Sequence, residues 1–272
     1  MMTTLPARRA IVGMVLFLQL LAMASGTRAT GEANGVASWT ADYPVPGSPY
    51  QVAVEAPNRV WATLPAENAI IRLTLTSSVP DVGVFVLPVA NSEPYDIAFA
   101  AGRIWFTERS GNRIGSLDAA SDPATSAWTE YPIENTPNCE PTGITVVAGD
   151  PVEVWFAKRA GNKLGRLRVS DMGSATIYYF RPPSPRDQPQ VFEHMSTGSG
   201  SQPWDIEVGP DGAPWFIEPH SNRVGNYTPG TLTYFTWYEL PVSSSTPYCL
   251  DVAQGLPGSP RRMEIAPASC SH

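Results

Sequence analysis

PYDIAFAAGRIWFTERSGNRIG, Pro94 to Gly115, contains two short runs that favour extended structure, Ile97 to Ala100 and Arg103 to Thr107. Ala101-Gly102 makes a turn between them, and Arg109-Ser110-Gly111-Asn112 makes a second turn into a third run from Arg113. Apolar and aromatic residues recur on a two-residue period, with turn residues where the chain must reverse. That is the pattern of a three-stranded meander.

The stretch recurs. Pro49 to Arg72 reads PYQVAVEAPNRVWATLPAENAIIR, Pro141 to Arg166 reads PTGITVVAGDPVEVWFAKRAGNKLGR, and Pro203 to Asn226 reads PWDIEVGPDGAPWFIEPHSNRVGN. Trp61, Trp105, Trp155 and Trp215 are each followed seven residues later by an asparagine: Asn68, Asn112, Asn162 and Asn222. The opening proline stands 11 to 14 residues before each Trp, and the copies lie 44, 50 and 60 residues apart. Such a period belongs to a propeller blade rather than a helical hairpin. Fourth, outermost strands are expected at Trp39–Pro44, Val84–Pro88, Trp128–Pro132 and Trp237–Pro241, with Ile177–Pro182 a looser copy. A proline at an outer edge costs no ladder bond. The expected fold is all-β, a β-propeller of four-stranded antiparallel blades over residues 39–272. Each Trp is expected to pack between blades. Each Asn is expected to take the left-handed conformation at a tight turn and bond its own backbone.

Residues 1–24 read as a cleavable signal peptide: Arg8 and Arg9, an apolar core from Ala10 to Leu21, and Ala22-Met23-Ala24 as a cleavage pattern. The expected protein is therefore secreted or periplasmic, without a membrane span, with a disordered lead-in over residues 25–38. Charged residues make up only 16% of the chain, and a net charge of −7 without a basic stripe argues against nucleic acid as a partner.

After the fourth copy come Trp237 to Pro241, a good inner strand from Pro247 to Ala253, and a weak second strand from Arg262 to Ala266. That is a partial fifth blade. The count fits either an unusual five-bladed ring or a truncated six- or seven-bladed one, and truncation is the preferred reading. Of the three cysteines, Cys249 and Cys270 are the expected disulfide pair, which leaves Cys139 unpaired.

In a propeller, the loops opening each inner strand and the turns between second and third strands surround one mouth, where ligands bind. The residues after the opening prolines are Tyr50, Tyr95, Thr142, Trp204 and Tyr248, and Asp96 and Asp205 follow two of them. Three residues after each Trp stand Leu64, Glu108, Lys158 and Glu218. Tyr50, Tyr95, Trp204, Tyr248, Asp96 and Asp205 are thus candidate ligand contacts around an aromatic-rimmed cup. Glu108 and Glu218 are the acidic groups expected inside it, suited to a divalent cation.

WFTE with GNRIG, preceded by P-x-D-I and followed by TEYP, resembles the streptogramin B lyase (virginiamycin B lyase) family over residues 39 to about 250. The resemblance implies a propeller of up to seven blades and a magnesium-dependent elimination that opens a cyclic depsipeptide at its ester linkage. A cation would polarise the ester carbonyl while a base removes the adjacent proton. It also implies catalytic histidines after the blade-opening prolines and a metal-holding glutamate in WFTE. The glutamate is present as Glu108 and Glu218, but the histidine positions carry Tyr50, Tyr95, Thr142, Trp204 and Tyr248. Two histidines remain as candidate bases. His220 follows Glu218 in a turn, and His194 lies in a Pro/Ser/Gly-rich insertion, Arg181 to Gln202, read as a lid or partner contact. Three functions stay open: a streptogramin-lyase-type enzyme, a non-catalytic propeller binding a small molecule or peptide, and a lactonase-like metal-dependent hydrolase. The expected protein is a monomer.

Overall fold

A computed structural model of the chain describes residues 43–75, 80–134, 136–170, 175–179, 200–209, 212–227, 235–241, 246–252 and 263–267. The signal peptide, the lead-in, Trp39, His194, Cys270 and nearly all of the insertion lie outside these residues. Strands follow one another in antiparallel meanders. The first sheet is β1 (Val52–Ala56), β2 (Arg59–Leu64), β3 (Ala69–Thr74) and β4 (Asp81–Val86). The second is β5 (Pro94–Ala100), β6 (Arg103–Glu108), β7 (Arg113–Asp118) and β8 (Trp128–Pro132). The third is β9 (Pro141–Val147), β10 (Val152–Lys158), β11 (Lys163–Val169) and β12 (Ala175–Tyr179). The fourth is β13 (Ile206–Val208), β14 (Pro214–Glu218), β15 (Arg223–Tyr227) and β16 (Phe235–Glu239). Among the described residues a fifth sheet has two strands, β17 (Pro247–Val252) and β18 (Met263–Pro267). The architecture is that of a β-propeller, and each outer strand closes the sheet of the meander before it.

The turn chemistry explains the repeat. Ala101 and Gly102 take φ of 52° and 72°, the left-handed pair that a two-residue hairpin demands. Asn68, Asn112, Asn162 and Asn222 all sit at φ between 50° and 54°, a region Asn tolerates better than other side chains that carry a Cβ. The expected partner was their own backbone; the bonds their side chains make run further. They reach across to the chain leading into the next blade. Asn68 Oδ1 accepts from the Ser92 and Glu93 N–H groups at 2.7 and 3.2 Å, and its amide donates to the Val89 carbonyl at 2.8 Å. Asn112 accepts from Cys139 N and donates to the Ile133 and Thr136 carbonyls. Asn162 accepts from Gln202 N, and Asn222 donates to the Leu240 carbonyl. One conserved spacing thus fastens each blade to its successor.

The core lies in the seams between sheets. Trp61 packs with Phe85, Ile97, Ile104 and Phe106; Trp105 with Ile144, Val154 and Phe156; Trp155 with Ile206, Phe216 and Tyr227. Trp215 joins Ile217, Val224 and Leu250 but is only partly buried, beside Tyr238, which is 47% exposed. Neighbours along a strand face opposite seams, so Trp105 faces the third sheet and Phe106 faces the first. Each such phenylalanine lies on a glycine of the third strand. A Cβ on Gly115, Gly165 or Gly225 would fall 2.1–2.3 Å from the ring tip of Phe106, Phe156 or Phe216. The first sheet reverses the pair, Ala62 opposite Ile71, and fills the same volume from the other strand. Its outward face is covered in part by Tyr43 and Val45.

Candidate functional site

Pro94 pairs with Glu108 and Pro141 with Lys158 across their hairpins, so blade openings and second-to-third turns gather at one end, the mouth. There the aromatic candidates meet in a row. The Tyr50 and Tyr95 rings lie 4.5 Å apart with their hydroxyls 2.5 Å apart. Trp204 meets Tyr95 edge-on at 6.1 Å, and Tyr248 meets Trp204 edge-on at 5.2 Å. Thr142, the small member of the set, is fully buried beneath the row. Its hydroxyl donates to the Trp204 carbonyl at 2.7 Å, and its carbonyl accepts from the Thr107 hydroxyl at 2.7 Å. Thr63 does the same to the Tyr95 carbonyl at 2.9 Å. The rings therefore ride on a chain of buried hydroxyl–carbonyl bonds between sheets. Tyr50 is 49% exposed and Tyr95 only 6%. Burial, and then the bond to Tyr50, raises the Tyr95 phenol above its ordinary range, so its proton is held.

Asp96 and Asp205 line the inner strands, where they act as clasps. Asp96 accepts from its neighbour Ile97 N at 2.8 Å and from Ile144 N of the next sheet at 2.7 Å. Asp205 accepts from Ile206 N and Leu250 N, each at 2.8 Å. Enclosure, with Asp205 and Glu207 nearby, pushes the Asp96 carboxyl well above the usual range against the pull of those two N–H groups. In the third sheet the matching residue is Gly143, where a Cβ would fall 2.7 Å from the Asp205 Cα. The backbones touch there, and no side chain fits.

The acidic pair does not face the cup. Glu108 and Glu218 are both fully buried, as is Lys158 in the third copy. The reason is the strand period: a residue three after the Trp points to the opposite face, into the seam beneath its own turn. Glu108 lies beside Ser92 and Gly111, with Arg113 Nη1 at 3.7 Å. Burial raises its pKa to about 7, with Glu130 adding to the shift and Ser92 and Arg113 opposing it. Arg223 Nε donates to Glu218 Oε2 at 2.7 Å, and Lys158 Nζ donates to Thr136 Oγ1 at 3.1 Å. Glu108 and Glu218 stand in different sheets, and among the described residues no three of His, Cys, Asp and Glu gather to hold a metal ion. The described residues therefore do not fit a magnesium site built on that pair. His220 is exposed in the 3-10 turn Pro219–Ser221. Cys139 is a buried free thiol pushed up to about 12 by burial, and Cys249 is buried.

A network missed in the sequence lies on the rim. Glu93 and Glu140, each just before a blade-opening proline, pair with Arg109 and Arg159, each four residues after a Trp. Arg109 lies over the Tyr95 ring at 4.5 Å and Arg159 over Trp204 at 5.6 Å. The signal was available, since Glu-Pro recurs at 93–94 and 140–141 and Arg at 109 and 159.

The family model for the virginiamycin B lyase family matches residues 38–191. Virginiamycin B lyase of Nocardia farcinica is 39% identical over 75 residues, 28% of this chain and 25% of that protein. A streptogramin B lyase structure superposes with a TM-score of 0.59 at 26% identity, covering 76% of this chain and 59% of the other. A catalytically inactive variant of Staphylococcus aureus virginiamycin B lyase, solved with quinupristin, gives a TM-score of 0.57 at 26% identity, with 74% and 59% covered. The chain thus spans a quarter of the length of the first relative and about three fifths of the two solved structures. No helix among the described residues is long and apolar enough to cross a membrane. Four Trp-to-Asn repeats, their meander sheets and the matched family model place the chain in the virginiamycin B lyase family.

Proposed function

We propose that this propeller binds a cyclic depsipeptide of the streptogramin B kind at its mouth and holds it without opening the ring. The observation that carries this is the contiguous row Tyr50–Tyr95–Trp204–Tyr248. Aromatic side chains supply broad, rigid contact area at low entropic cost, which suits a flat or cyclic ligand. The relative solved with quinupristin supports the ligand class. The five residues that open the blades are tyrosine, threonine and tryptophan, and the Tyr95 phenol keeps its proton. None of them is a base for proton abstraction near neutral pH. An elimination would need a base from elsewhere, with His220 and His194 the candidates carried by the chain.

The test is a fluorescence titration of the intact protein with quinupristin, followed by mass analysis of the recovered antibiotic. Saturable quenching with the antibiotic recovered cyclic is the expected result. No binding overturns the proposal. A linear product of unchanged mass would establish elimination instead, and a product heavier by one water would establish the hydrolase reading. Repeating the titration with magnesium chloride tests the cation. Product formed only with magnesium returns the metal-dependent lyase to first place.

A further inference from the structure

We infer that Arg109 and Arg159 select the ligand at this mouth by stacking a planar aromatic group on their guanidinium faces; this rests on the mouth being the binding site. The two arginines hold the same place in successive repeats, where the other two repeats carry Pro65 and Pro219. Each is fixed by an edge. Arg109 Nη2 donates to Glu93 and Arg159 Nη2 to Glu140, and Arg159 Nη1 also donates to Gln202 Oε1 at 3.1 Å. The backbone repeats the link, with Arg109 N donating to the Glu93 carbonyl at 3.0 Å and Arg159 N to the Glu140 carbonyl at 3.1 Å. Glu93, Glu140 and Gln202 hold left-handed φ of 58°, 48° and 46°. Such conformations persist in long side chains only where the surroundings impose them.

One face of each guanidinium is spent on a protein ring, Tyr95 or Trp204. Yet the Arg109 and Arg159 side chains remain 29% and 27% exposed, while Tyr95 beneath is almost covered. What the mouth presents on this side therefore includes two arginine side chains backed by aromatic rings, rather than the rings alone. Glu93 and Glu140 each hold one Nη2 group, so each guanidinium charge is already partnered by a tethered carboxylate. The plane stays available to a π system, which a guanidinium attracts and a saturated ring of similar size does not. The ligand class that fits carries an aromatic or heteroaromatic ring and needs no carboxylate to be held here. Lysine keeps the charge but has no plane, so Arg→Lys is not conservative at a stacked site.

The test measures affinity of wild type, R159K, R109K and the double variant for two probes, N-acetylphenylalanine amide and its cyclohexylalanine counterpart, with quinupristin as reference. Chemical-shift titration reports the probes. Wild type should prefer the phenyl probe, and each lysine variant should lose roughly two- to fivefold of that preference. A ratio of two affinities is unaffected by the folded fraction of a variant, so destabilisation alone does not move it. Equal affinity of wild type for both probes, or a preference untouched by both substitutions, overturns the inference while quinupristin binding leaves the mouth reading intact. If wild type binds neither quinupristin nor either probe, both readings fall together.

Discussion

Glu108 gives the sharpest check on the seam chemistry. Its carboxyl is fully buried, and burial lifts its pKa from 4.5 to about 7. The folded state thus holds a proton there that the unfolded chain releases. For a raised acid, the stabilising effect is fully present below the unfolded value and is lost as pH rises through the folded one. Stability should therefore fall between about pH 4.5 and pH 7 and stay low above it. A shift of this size corresponds to ~3 kcal/mol at 1.36 kcal/mol per unit. For a domain of this length that is a melting shift of roughly 6–12 °C. Glu108→Gln keeps the shape, removes the titration and leaves Arg113 its second partner, Glu130, at 3.8 Å. The assay is thermal melting by circular dichroism from pH 5 to pH 8, wild type against E108Q. Asp96 is raised as well and slopes the same way in both proteins, so the difference between the curves isolates Glu108. The two should converge near pH 5, with E108Q the more stable at pH 8. Parallel curves across the range would refute the reasoning.

Other positions give independent readouts. Gly115→Ala drives a Cβ into Phe106 and should cost at least ~1–3 kcal/mol of unfolding free energy. Adding Phe106→Ala to Gly115→Ile recreates the first sheet's Ala62–Ile71 pair. Urea unfolding should then show the double variant more stable than the sum of its singles, by a coupling of about 1–3 kcal/mol. Asn112→Gly keeps the left-handed turn and loses the side-chain bonds to the third sheet's lead-in, whereas Asn112→Ala loses both. Alanine should be worse than glycine by about 1 kcal/mol in the same assay. Thr107→Val removes a buried hydroxyl bond to the Thr142 carbonyl beneath the aromatic row. The same hydroxyl accepts from Asp96 N at 3.0 Å, and a loss of about 1–3 kcal/mol from the broken bonds is expected.

Much of the fold was legible because the turn residues obey local rules. The Trp-to-Asn spacing measures a strand end plus a tight turn, and all four asparagines take the left-handed backbone that spacing implies. What local reasoning missed was the far end of the asparagine side chain. Its partners are backbone groups 18 to 40 residues away along the chain, positions that no property of the turn specifies. Three of the expected outer strands lie two or three residues nearer the N-terminus than their prolines imply, at β4, β12 and β16. Trp128–Pro132 matches β8, while Val84–Pro88 became Asp81–Val86.

The site was half legible, and the same period decides which half. Position after an opening proline is fixed by the mouth, so Tyr50, Tyr95, Trp204 and Tyr248 converge however the blades tilt. Position after the Trp is fixed by the pleat, and an odd step from a seam-facing residue returns to the opposite seam. By that count Glu108 and Glu218 belong inside, with Arg113 and Arg223 two-strand neighbours supplied by the register Glu108–Arg113 and Glu218–Arg223. The fourth residue after Trp is the first beyond the strand, free of the pleat, and there Arg109 and Arg159 reach the rim. In this fold a charge at the strand's last residue is a seam property, and the same charge one step later belongs to the mouth.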